Sequence, residues 1–255
     1  MGTISSFTRQ LALDAGRLAL SKKYRLRFRR KKAFHDFVTE ADLAVERMAV
    51  GKIKKSFPTH SIYSEEAGGI AGASKGDLWV LDPIDGTNNY SFGLPFWGVS
   101  IAYAKGGVVQ SGAISLPELE LLFHAQRGKG AYCNGKRIHV SKAAKLTDAL
   151  VLFESRLARA QDKRKIRVLF DASKKGFGVR VLGTAVFNLC YVANGSAGAS
   201  VMSGLKVVDF AAGALIAEEA GGTVTYFSGR PWTLKTADFI ISNGKIHHEL
   251  FKLAG

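Results

Sequence analysis

Apolar positions recur at helical spacing from residue 4 to 21, where Ile4, Phe7, Leu11, Leu13, Leu18 and Leu20 predict an amphipathic opening helix. From Lys22 to Lys32 the pattern changes: Tyr24, Leu26 and Phe28 alternate with Arg25, Arg27 and Arg29, the period of a strand with one solvated face. Thr39-x-x-Asp42 fits a capping box for a second helix reaching about Phe57. Ser61–Ser64 is a short strand ending at Glu65-Glu66, and a small-residue loop spans Ile70 to Gly76. The four apolar residues Leu78-Trp79-Val80-Leu81 predict a buried strand. Further strands are expected at 97–104, 108–114 and 119–125, with a tight turn at Asn134-Gly135. Residues 1–144 thus form an α+β portion, an antiparallel sheet on two helices.

From about residue 145 strands and helices alternate, the mark of an α/β layer over 145–255. Strands are predicted at 150–154, 178–182, 199–202, 223–227 and 238–241, and helices at 160–173, 184–194, 209–220 and 245–253. Gly221-Gly222 closes the third of these helices.

Composition narrows the function. Hydrophobic content of 47% and charged content of 22% are ordinary for a globular protein. No apolar run approaches the roughly 20 residues of a membrane span. The first residues lack the basic start and apolar stretch of a secretory signal. Cys133 and Cys190 form no Cys-x-x-Cys pair, so a cytoplasmic protein without membrane contacts is expected. The net charge of +15 favours anionic partners, whether phosphate esters or nucleic acid. Eight of the eleven residues from Lys22 to Lys32 are Lys or Arg, either a nucleic-acid patch or an edge strand guarded by charge.

The candidate chemistry lies at the end of the 78–81 strand, in Asp82-Pro83-Ile84-Asp85-Gly86-Thr87. Pro83 stiffens the bend between two carboxylates, Gly86 permits a tight backbone path, and Thr87 can open a helix. Asp, Pro and Gly also make ordinary turns, so this stretch alone allows either reading. Asp42, Glu65 and Asp209 join the two acids as residues at strand ends or helix starts, Asp209 also fitting a helix cap. Hard oxygen ligands without His or Cys partners favour magnesium over zinc. Gly130 to Lys136 has P-loop spacing, but Arg137 replaces the Ser or Thr and the segment resembles a hairpin.

These stretches, with Val208-Asp209-Phe210-Ala211-Ala212-Gly213 and Glu219-Ala220-Gly221-Gly222, resemble the inositol monophosphatase family of lithium-sensitive phosphatases over nearly the whole chain. The resemblance implies a layered α-β-α-β-α sandwich and hydrolysis of a small phosphate ester by metal-activated water. It implies two to three magnesium ions: one on Glu65, Asp82 and the Ile84 carbonyl, a second on Asp82, Asp85 and Asp209, and a weaker third on Glu65. Asp42 and Thr87 would orient and deprotonate the water, with Glu65 also in the catalytic set. Asp85, Gly86, Thr87, Gly183, Thr184 and Ala185 would line the substrate. A homodimer is the expected assembly, and some members join transcription complexes. The sequence also departs from the family. Val208 stands where the signature often has Trp, and Met202 stands where many inositol-specific members place a sugar-binding Glu. With Arg180 and Lys206 as added cations, Met202 as an apolar wall points to broad specificity. The expected substrates are inositol monophosphate and fructose 1,6-bisphosphate. Histidinol phosphate, 3′-phosphoadenosine 5′-phosphate and an RNA-binding role are the alternatives.

Overall fold

The computed structural model describes residues 3–23, 28–30, 37–66, 70–71, 76–155, 163–235 and 238–254. The first half comprises α1 (Ile4–Lys22), β1 (Phe28–Arg30), β2 (Phe37–Thr39), α2 (Glu40–Ser56), β3 (Ser61–Ser64), β4 (Ile70–Ala71), β5 (Asp77–Asp85) and α3 (Thr87–Ser91). It continues with β6 (Gly98–Lys105), β7 (Val108–Leu116), β8 (Leu121–Gln126), β9 (Ala131–Cys133) and β10 (Lys136–Arg137). The second half comprises β11 (Leu150–Ser155), α4 (Lys163–Lys175), β12 (Gly178–Val181), α5 (Ala185–Ala193), β13 (Ala199–Ser203), α6 (Val207–Glu219), β14 (Thr223–Tyr226), β15 (Phe239–Ser242) and α7 (His247–Ala254).

Period-two alternation assigns each sheet two buried faces. In the eight-stranded sheet, ordered β10-β9-β8-β7-β6-β5-β3-β4, Trp79, Leu81, Val99 and Ile101 face α1 and α2. Val80, Ala102, Ile114 and Phe123 face the other way, onto α5 and α6. Those two helices also cover Leu152, Met202, Phe239 and Ile241 of the five-stranded sheet β12-β11-β13-β15-β14. Val151, Phe153, Val201 and Ile240 on its far face pack on α4 and α7. The result is an α-β-α-β-α sandwich, and α6, in the middle layer, is buried almost all round.

Two expectations change. The first sheet is mixed: β3 pairs with β5 in parallel, because β3 is inserted between β5 and the short edge strand β4. Of the basic run, Lys22 belongs to α1 and Phe28–Arg30 pairs antiparallel with Phe37–Thr39; residues 24–27 and 31–32 lie outside the described residues.

Close approach between layers depends on small residues. A Cβ added at Gly112 of β7 would lie 2.9 Å from the Ala212 Cα and carbonyl oxygen of α6, which are backbone atoms that cannot rotate away. Gly112→Ala should therefore destabilise the protein by about 1–3 kcal/mol through overpacking. Gly51→Ala, in α2 where an added Cβ has no neighbour within 4 Å among the described residues, should be neutral or stabilising by up to about 1 kcal/mol. Equilibrium urea unfolding checks the pair; equal effects at the two sites would contradict the packing account.

Candidate active site

Parallel pairing gives β3 and β5 their C-terminal ends at the same edge. Ser64 pairs with Leu81, and the Glu65 N–H donates to the Leu81 carbonyl at 3.2 Å, which sets Glu65 beside Asp82. Asp85 reaches the same face through a bulge. Asp82 pairs with Ser100 and Asp85 with Gly98, so three steps on β5 match two on β6. The extra residue lies around Pro83, which has no N–H to donate, and cancels the alternation that would send Asp85 to the opposite face. Asp209 comes from α6. The helix begins two residues earlier than the sequence predicted, so Asp209 stands at its third position rather than as its cap. Its carboxylate accepts the Lys206 N–H at 2.7 Å. Carboxylate oxygens of Glu65, Asp82 and Asp209 all lie within 4.8 Å of one another.

The other residues divide by their partners. Asp85 Oδ2 accepts the Thr184 hydroxyl and the Val186 N–H, the latter at 2.9 Å, and so faces the start of α5. The Asn89 amide ties α3 to this loop, donating to the Phe96 and Leu182 carbonyls at 2.7 Å each. That tie carries Gly183, Thr184 and Ala185 toward the Asp85–Thr87 turn. Gly86 opens α3 with φ of 86°, and a Cβ there would meet the Phe96 carbonyl at 2.8 Å. The Thr87 hydroxyl donates to the Ile84 carbonyl at 2.9 Å. Asp42 completes the capping box, accepting the N–H and hydroxyl of Thr39.

Two expected substrate residues lie apart. Met202 has no exposed surface and packs in the main core, so the apolar wall assigned to it is corrected: its side chain fills the space beneath α5 and α6. Arg180 is exposed on β12, its guanidinium folded onto the Val179 carbonyl at 2.9 Å. Lys206 does meet the acids, its ammonium lying 3.0 Å from Glu65 Oε1.

Crowding and burial leave a clear electrostatic signature. Burial, then Glu65 and the neighbouring aspartates, pushes Asp82 well above the ordinary carboxylate range. Burial first, with Asp85 and Glu65 adding to it, raises Asp209 to about 8. Asp85 and Asp42 rise to about 7, mainly by burial against the opposing hydrogen bonds. Among the described residues, Asp82 Oδ2 is buried without a hydrogen-bond donor.

Two acids escaped the sequence reading. Glu46 accepts the Ser64 hydroxyl and the Glu66 N–H, the latter at 3.1 Å, and so holds the turn that presents Glu65. Its spacing, one helical turn beyond Asp42, was the available signal. Glu154 lies beside Met202 in register at the end of β11 and raises Asp85. The strand end was legible, but its neighbourhood was not.

The model of the inositol monophosphatase family matches residues 3–254. The chain belongs to the inositol monophosphatase family. Membership makes it a phosphatase, a phosphoric monoester hydrolase. A fructose-1,6-bisphosphatase/inositol-1-monophosphatase of Thermotoga maritima is 40% identical over 231 residues, covering 88% of this chain and 84% of that protein. SuhB of Neisseria meningitidis serogroup B, described as a candidate Nus factor, is 36% identical over 223 residues, covering 87% and 85%. The solved inositol monophosphatase of Thermotoga maritima superposes with a TM-score of 0.89 at 36% identity, over 98% of this chain and 95% of that one. Among the described residues, no helix is long and apolar enough to cross a membrane.

For this family member the raised carboxyls set the sign of its pH dependence. From the ordinary 3.8, Asp42 and Asp85 move to about 7 and Asp209 to about 8, so the folded chain binds protons that the unfolded chain releases. Their contribution to stability is complete below about pH 4 and is lost as pH rises through about 7 to 8. In EDTA, the melting temperature should fall between pH 6 and 8.5 by on the order of 5 °C. Asp209→Asn should flatten that slope. A melting temperature that rises over this interval would contradict the account.

Proposed function

We propose that this protein is a magnesium-dependent phosphomonoesterase acting on small phosphorylated polyols and sugars, with inositol monophosphate and fructose 1,6-bisphosphate both used. The observation that carries this reading is the convergence of Glu65, Asp82 and Asp209 within 4.8 Å around a buried Asp82 oxygen that has no donor among the described residues. Such an oxygen is costly unless a cation meets it, and an all-oxygen donor set suits a hard divalent ion. In this reading Glu65, Asp82 and the Ile84 carbonyl hold one ion, and Asp82, Asp85 and Asp209 another. Bound magnesium would supply positive charge for the phosphoryl oxygens and lower the pKa of water.

The chain's own groups do the rest. Asp42, with a carboxyl near 7, is matched to accept a proton at neutral pH, and Thr87 would orient the same water from the start of α3. The Gly86 and Thr87 amides face the phosphate. Gly183, Thr184 and Ala185, tied down through Asn89, line the alcohol side. With Met202 in the core and Arg180 apart on β12, tolerance of a second phosphate rests on the exposed cation Lys206 and on the bifunctional Thermotoga relative.

Steady-state kinetics on a panel of phosphate esters, with and without magnesium, tests the reading. Fructose 1,6-bisphosphate should be hydrolysed with kcat/KM at least equal to that of inositol 1-phosphate, and millimolar lithium should inhibit. Asp82→Asn should lower kcat by more than the roughly 10–100-fold typical of residues that only support a ligand. Near-normal, magnesium-dependent turnover by that variant would sink the assignment.

A second reading rests on the charge of +15 and on the SuhB relative: binding of RNA through the basic surface. Affinity for a single-stranded RNA, measured by fluorescence anisotropy at 50 and 200 mM salt, should fall steeply, by about tenfold or more. No binding at the lower salt removes this reading.

A further inference from the structure

Lys206 bridges two of the three converging carboxylates. Its backbone N–H donates to Asp209 Oδ2 at 2.7 Å, and its ammonium lies 3.0 Å from Glu65 Oε1, an acid 141 residues away in the chain. The two contacts differ in kind. The first belongs to the start of α6 and persists whatever side chain stands at 206. The second is made by a flexible four-carbon stem whose side chain is 41% exposed, against 14% for Glu65. An ammonium is a compact point charge with three donors, which a solvated stem can place against a carboxylate or withdraw into water. It therefore stands where a metal ligated by Glu65 would put its own charge. The two cannot share Glu65 Oε1 without repulsion.

We infer that the Lys206 ammonium is a tethered cation that competes with divalent metal for Glu65, so that metal binding there is coupled to release of the lysine. This rests on the proposed metal site and adds a regulatory element to it. In the metal-free chain the lysine offsets part of the repulsion among Glu65, Asp82 and Asp209. When metal arrives, the lysine must withdraw, and the affinity is lower than the carboxylates alone would give. Solvent screening of a pair this exposed keeps the effect moderate.

Calorimetric titration of the full chain with magnesium chloride and with manganese chloride, at pH 8 and constant ionic strength, tests the coupling. Lys206→Met should bind metal about three- to tenfold more tightly than wild type, while Lys206→Arg, which keeps the charge, should stay close to wild type. Melting temperature supplies a second readout. Metal-free Lys206→Met should melt lower than wild type, and saturating magnesium should raise it by more. Equal or weaker binding by Lys206→Met, with wild type binding normally, overturns the inference and leaves the proposed function standing. Absence of metal binding in every variant, together with absence of magnesium-dependent hydrolysis, overturns both.

Discussion

The parallel pairing of β3 with β5 is the constraint on which the rest depends. It puts Glu65 and Asp82 at one edge of one sheet, where an antiparallel pairing would have placed them a strand length apart. Every other acid is then brought to that edge. Asp85 arrives through the bulge, Asp209 through the start of α6, and Asp42 through the cap of α2. Like charges gathered in a buried place raise one another's pKa, and the fold must hold them against that repulsion. The holding is done by unchanging donors: the backbone N–H groups of Ile84, Val186 and Lys206 each hold one of the carboxylates.

The middle layer makes this possible. Helices α5 and α6 contact sheets on both sides, and α6 is lined by Ala211, Ala212, Gly213, Ala214 and Ala217. Small side chains let it approach β7 at Gly112 and α5 at Leu189 closely, so the position of Asp209 follows from packing rather than from a loop. A carboxylate fixed by a packed helix start keeps its distance from Asp82 without help from a ligand. Preorganisation of this kind costs stability locally, which a core of this size supplies elsewhere.

Helices and most strands were legible because their apolar periods are long and their stops clear: Pro58 after α2, Gly221-Gly222 after α6. The acid list was legible from chemistry and resemblance. What escaped depended on register. A parallel pair between short neighbouring strands leaves no mark in the sequence, and neither does a bulge that changes the face of Asp85. Met202 showed the opposite failure. Its place seven residues before Asp209 suggested an apolar wall of the substrate pocket, but alternation along β13 turns it to the core, on the same face as Leu152. Glu46 and Glu154 went unnoticed because each matters through a neighbour in space, Glu66 and Asp85 respectively.

Charge is segregated across the molecule: 36 cations against 21 acids overall, yet acids dominate the converging edge of β3 and β5. The outer field draws a phosphate ester inward, while the edge itself repels it as long as its carboxylates are ionised and uncovered. Two remedies exist, protons or cations. Protons occupy the raised carboxyls below about pH 7, but a protonated carboxyl no longer ligates a cation well. Cations are the remedy available above that pH, and among the described residues Lys206 is the one whose ammonium lies against Glu65. On the proposed reading, substrate binding is therefore conditional on prior neutralisation of the edge. A site with this charge pattern would then favour phosphate in the state in which its carboxylates are already covered, which would couple recognition of the substrate to readiness for the reaction.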